Sequence, residues 1–107
     1  MYTIDASVWV NGFDQREPGH QITRQLLDVI AARRLIVVVP DLAFVEVAGA
    51  ISRTRHDPQQ AEAFALNMSR LPNVTSVILE AALVRQAVAL AAQYGVRGAD
   101  AVYAAVA

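Results

Sequence analysis

Short β-branched runs alternate along the chain with stretches whose apolar residues recur at helical spacing, which is the pattern of an α/β domain. Residues 1–5 predict a first strand. Ser7-Val8-Trp9-Val10 opens a short helix, and Gly12 to Gly19 reads as a loop closed by Pro18 and Gly19. From Gln21 to Arg34, Ile22, Leu26, Leu27, Val29 and Ile30 follow a helical stripe, and the Arg33-Arg34 pair suits the negative end of the helix dipole. Leu35-Ile36-Val37-Val38-Val39 has no polar alternation, as expected of a parallel strand covered on both faces, and Pro40 stops it.

Pro40-Asp41 starts a helix to Arg55, since proline fits a first turn and an acid there complements the dipole. Asp57-Pro58-Gln59-Gln60 signals another N-terminus. Ala61, Phe64, Ala65 and Met68 carry that helix until Leu71-Pro72. Val74 to Leu79 predicts a third strand, Glu80 to Tyr94 a helix stopped by Gly95, and Ala99 to Ala107 a last helix. No repeat or low-complexity segment interrupts the order.

Length and composition then limit the function. The 107 residues, 55% of them apolar, make one domain over residues 1–107 with a core of its own, and no apolar run approaches bilayer length. Met1 leads directly into the first strand with no leader pattern, and cysteine is absent, so the expected location is cytoplasmic. A net charge of -1 supplies no global attraction for nucleic acid, so any such attraction must be local. All nine basic residues are arginines, which removes Schiff-base chemistry and the lysine-bearing phosphate loop; the lack of cysteine removes thiolate chemistry. His20 and His56 stand in polar, loop-like sequence and read as surface residues.

Three carboxylates remain embedded in apolar sequence: Asp5 at the end of the first strand, Glu46 in Phe44-Val45-Glu46-Val47-Ala48, and Asp100 in the first turn of the last helix. A buried carboxylate is costly unless paired, hydrogen-bonded or bound to a metal, so three of them suggest a convergent acidic site. Asp5 lies where ligands bind in open parallel sheets, outside the carboxyl ends of the strands. The face of Glu46 is lined by Leu42, Ala43, Gly49 and Ala50, which are small or apolar and allow another element to approach. The face of Asp100, with Arg97, Tyr103 and Ala104, is expected to be buried or half-buried. Structural uses stay open beside this reading: Asp5 or Ser7 as an N-cap, Asp100 as a complement to a helix dipole, Glu46 as a solvated mid-helix charge.

Asp5-Ala6-Ser7-Val8 after the first strand, Pro40 with Glu46-Val47 after the second, and Gly98-Ala99-Asp100-Ala101-Val102-Tyr103-Ala104-Ala105-Val106-Ala107 together resemble the PIN domain family. Within it they resemble most the VapC-like toxins of bacterial and archaeal toxin-antitoxin pairs. The resemblance runs through the whole chain in order. It implies a three-layer α/β/α fold around a parallel sheet, and a Mg²⁺- or Mn²⁺-dependent endoribonuclease that is inhibited by a small antitoxin and commonly forms a homodimer. Asp5 and Asp100 would be the metal carboxylates, with Glu46 binding directly or through water to orient the attacking group. Ser7 would position a ligand or phosphate, and Arg53, Arg55 and Arg97 are candidate phosphate contacts.

PIN domains of this kind usually continue into a fourth strand bearing a fourth acid, a further helix and a last strand, which this sequence lacks after Ala107. The expectation is therefore an uncovered edge beside the first strand, left by truncation of a longer chain or covered by a second copy or a partner. Two other functions are weighed. A non-catalytic PIN-like module would bind a protein through its apolar helices without holding metal, and a phosphoacceptor receiver domain is disfavoured because no lysine is present to contact the phosphoryl group.

Overall fold

The computed structural model describes residues 1–107 as six helices and two strands. The order is α1 (Ala6–Phe13), α2 (His20–Ala32), β1 (Val37–Pro40), α3 (Leu42–Arg55), α4 (Pro58–Ser69), β2 (Val74–Val77), α5 (Ala81–Tyr94) and α6 (Gly98–Val106). The two strands pair in parallel, Val37 opposite Val74 through Pro40 opposite Val77. On the other edge of β1 the N-terminal segment makes a single parallel bridge, with Tyr2 N–H donating to Ile36 O at 2.9 Å and Val38 N–H to Tyr2 O at 2.8 Å. The strand expected over residues 1–5 is thus reduced to one pair, because the chain leaves the sheet after Tyr2 to enter α1 at Ala6. The architecture is α/β, a small parallel sheet flanked by helices.

Local chemistry explains most helix ends. The Asp57 carboxylate accepts from Gln60 N–H at 3.1 Å and Pro58 occupies the first turn of α4, an N-terminus built from residues that fit it. Gly95 ends α5 in the left-handed region at φ 64°, which costs glycine little. Helix α1 runs further than expected and absorbs Gly12, which the sequence places in a loop. Gly12 faces α2, where a methyl would come within 2.6 Å of Leu27 Cδ1, so a larger residue there would make the Leu27 side chain shift.

The core lies where α3 meets the sheet. Val37, Val39, Ala43 and Val47 are 0% exposed, and Ile51 continues the same face of α3 one turn further on. Trp9 and Val10 of α1, Leu27 and Ile30 of α2, Ala61 and Met68 of α4, and Tyr103 of α6 close over this face. Burying apolar area at about 25 cal/mol per Å² makes this cluster the main source of stability. The far side is less well covered. Helix α5 packs mainly on α6, buries only Leu83 and Ala87, and leaves Val88 62% exposed; Ile78, just before it in the chain, is 72% exposed. No helix is long and apolar enough to cross a membrane.

Candidate metal and RNA site

Asp5, Glu46 and Asp100 line one open cleft of about 700 Å³, each delivered by a different element. Asp5 immediately precedes α1, Glu46 lies in the second turn of α3, and Asp100 in the first turn of α6. Ser7, Glu17, Arg53 and Arg97 line the same cleft. The three acids singled out from the sequence thus face one cleft, and Glu17, in the loop after α1, adds a fourth carboxylate that no sequence pattern singles out. Asn11 Nδ2–H holds the Glu17 carboxylate at 3.0 Å.

The local geometry bears on the structural alternatives. Asp5 occupies the N-cap position of α1, yet its carboxylate makes no capping hydrogen bond; it accepts instead from Ser7 Oγ–H at 3.0 Å. The first amide of α1 is held from elsewhere: the Tyr103 hydroxyl accepts from Ala6 N–H at 3.3 Å. The same hydroxyl donates to Glu46 Oε1 at 3.0 Å. Burial, reinforced by the Glu46 carboxylate, raises the Tyr103 phenol far above its ordinary range, so it remains a donor at physiological pH. Sequence spacing places Tyr103 on the face of Asp100 expected to be buried or half-buried; its use as a hydrogen-bonding hub depends on a partner 97 residues away.

Two expectations need correction. Asp5 and Asp100 are exposed and only Glu46 is half-buried, so the two aspartates do not carry the desolvation cost that their apolar neighbours suggested. Apolar residues adjacent in sequence occupy other faces of a helix: Ala101 is buried while Asp100 beside it is exposed. Arg55 is not in the cleft. It pairs with Asp14 at 3.7 Å and lies over the Phe13 ring at 5.7 Å, which leaves Arg53 and Arg97 as the cleft's arginines. Arg53 folds back along α3, its Nη1 within 3.1 Å of where a Gly49 methyl would sit. Around Glu46, Gly49 is therefore overlaid by its own helix's Arg53, while Tyr103 of α6 reaches the Glu46 carboxylate.

No three acidic or histidine side chains stand close enough together to hold one ion. The donor set nevertheless fits a hard divalent cation, since every candidate ligand is an oxygen and two of them are exposed carboxylates. Mg²⁺ commonly keeps several waters and uses one or two carboxylates, which Asp5 and Asp100 would provide.

The sequence matches the PIN domain family over residues 2–107. Among solved structures, VapC20 of Mycobacterium tuberculosis, a sarcin-ricin-loop-cleaving toxin, shares the fold with a TM-score of 0.82 and 18% identity, covering 99% of this chain and 80% of that one. No curated protein matches the chain.

Proposed function

The chain belongs to the PIN domain family, and from that premise we propose that it is a Mg²⁺- or Mn²⁺-dependent endoribonuclease acting as the toxin of a toxin-antitoxin pair. The observation that carries this reading is the convergence of Asp5, Glu46 and Asp100, from three elements distant in sequence, on one cleft that also holds Arg53 and Arg97. A divalent cation supplies charge neutralisation and an activated water for phosphodiester hydrolysis. Asp5 and Asp100 would hold it, with Ser7 Oγ–H donating to the Asp5 carboxylate. Glu46, which accepts from Tyr103, would orient the attacking water, and the two arginines would bind backbone phosphates of the substrate.

The similar toxin cleaves the sarcin-ricin loop, and by that likeness a structured RNA loop is the substrate class to test first. A cytoplasmic location, a small antitoxin and a homodimer belong to the same reading. Fractionation, copurification and light scattering test them separately.

The decisive experiment measures Mn²⁺-dependent cleavage of single-stranded and loop RNA by the purified chain. Asp5→Asn, Glu46→Gln and Asp100→Asn, with circular dichroism unchanged, are expected to lose cleavage, as is the unaltered chain in EDTA. Full cleavage by any one variant removes that residue from the mechanism. A folded chain that binds no Mn²⁺ but retains a small protein partner supports the non-catalytic module instead, a reading favoured by the exposed Ile78 and Val88.

A further inference from the structure

We propose that Tyr103 is a positioning residue that sets the distance between the acids of the cleft, a role that rests on the metal-dependent reading of that site. Three observations converge on it. Its ring is buried while its hydroxyl reaches two cleft elements, donating to Glu46 Oε1 at 3.0 Å and accepting from Ala6 N–H at 3.3 Å. Ala6 is the first residue of α1, and its amide is one of the donors that a helix N-terminus leaves without an intrahelical partner. An N-cap carboxylate ordinarily accepts from the second or third amide of its helix, which leaves the first amide to another acceptor. Here the phenol takes that first amide and so fixes the backbone beside Asp5, while the Asp5 carboxylate makes no capping bond of its own.

The third acid is tied in through the helix itself. Asp100 precedes Tyr103 by three residues on α6, so anchoring the phenol fixes the helical turn from which the exposed Asp100 carboxylate projects. One side chain thus links all three acids: Asp100 through a rigid helical turn, Glu46 through a donated hydrogen bond, and Asp5 through its neighbour's amide. A tyrosine hydroxyl has one proton to donate and lone pairs to accept, so it can serve a carboxylate and an amide at once. Phenylalanine would fill the same space and make neither bond.

The test is Tyr103→Phe, which keeps the buried ring. Removing a group that orients metal carboxylates typically costs about 10- to 100-fold in metal affinity or activity, so Mn²⁺ affinity of the folded variant, by calorimetry, is expected to fall at least about tenfold. A purely structural role would lower the unfolding midpoint and leave that affinity unchanged, and this result overturns the proposal. The second measurement repeats the substitution in a Glu46→Ala background. With the acceptor gone the hydroxyl has less to position, so the further loss is expected to be clearly smaller. An undiminished loss overturns the proposal.

Failure of the unaltered chain to bind Mn²⁺ would instead remove the functional reading. The link is then decided by hydrogen exchange at the Ala6 amide: faster exchange in Tyr103→Phe supports it, and an unchanged rate overturns it.

Discussion

The two walls of the cleft are built differently. Helix α3, which carries Glu46, is driven into the core by Ala43, Val47 and Ile51 at successive turns, and its C-terminal Arg55 is paired with the buried Asp14 at the end of α1. Helix α6, which carries Asp100, buries Ala101 and Tyr103 and is backed by α5, itself buried only at Leu83 and Ala87. No ion pair involves α5 or α6. One acid therefore sits on a fixed wall and another on a wall with few anchors. The geometry between them depends on the few contacts that cross, of which the Tyr103–Glu46 hydrogen bond is the most direct. Regions with few buried apolar contacts open at lower free energy than the core, so the α5–α6 side is where ordering by an ion or a partner would register first.

The largest effect that separates the walls is a core truncation. Ile51→Ala removes a nearly fully buried side chain from the α3–sheet contact and is expected to cost about 2–5 kcal/mol by urea unfolding. Leu83→Ala, at the edge of a helix whose other side is open, leaves a space that neighbours can collapse into and is expected to cost no more than about 2 kcal/mol. Equal losses would show that the α5–α6 hairpin is as firmly held as α3 and would end the distinction.

The clamp at the base of the fixed wall makes a pH-dependent prediction. Asp14 is 3% exposed, and its carboxyl is lowered below the ordinary 3.8 by hydrogen bonds first from the Arg16 backbone N–H and then from the Arg16 side chain; the charges of Arg16 and Arg55 add to this. Because the folded value lies below the unfolded one, its contribution to stability is present above the ordinary carboxylate range and is lost as pH falls through the lowered value. Asp14→Asn is expected to be less stable than the unaltered chain at pH 7, with the gap closing in acid. The measurement is the urea midpoint of both proteins from pH 7 to pH 2. A gap that is constant with pH would mean that packing of Asp14, rather than its charge, joins α1 to α3.

How much of this was legible in the sequence follows the range of each interaction. The ends of α4 and α5 are written locally, in Asp57-Pro58 and Gly95, and the helical spacing of Ile22, Leu27 and Ile30 marked α2. The parallel β1–β2 pair was legible because Val37, Val38 and Val39 form an unbroken β-branched run. The first strand was not, since whether residues 1–5 pair beyond Tyr2 is settled by where the chain must turn into α1. The acids were legible as a set because each stands at the start of an element or in its early turns. Their exposure was not: the apolar neighbours of Asp5 and Asp100 turned to the core and left the carboxylates outside. The Tyr103 hub and the Asp14–Arg55 pair join residues far apart in the chain, and no local pattern announces either.

The smallest expected effect tests the open face of the second wall. Val88 is 62% exposed on α5, and a polar replacement there loses little packing, so Val88→Gln should change stability by no more than about 0.5 kcal/mol. Glutamine is also a good helix former, which removes propensity as a confounding cost. If α5 is covered in solution by a second copy or an antitoxin, the same substitution buries an amide in an apolar contact and weakens that association, while the isolated chain unfolds as before. Light scattering and copurification of Val88→Gln beside the unaltered chain separate the two cases. An unchanged assembly together with unchanged stability would leave α5 as a solvent-facing helix and place any partner elsewhere on the surface.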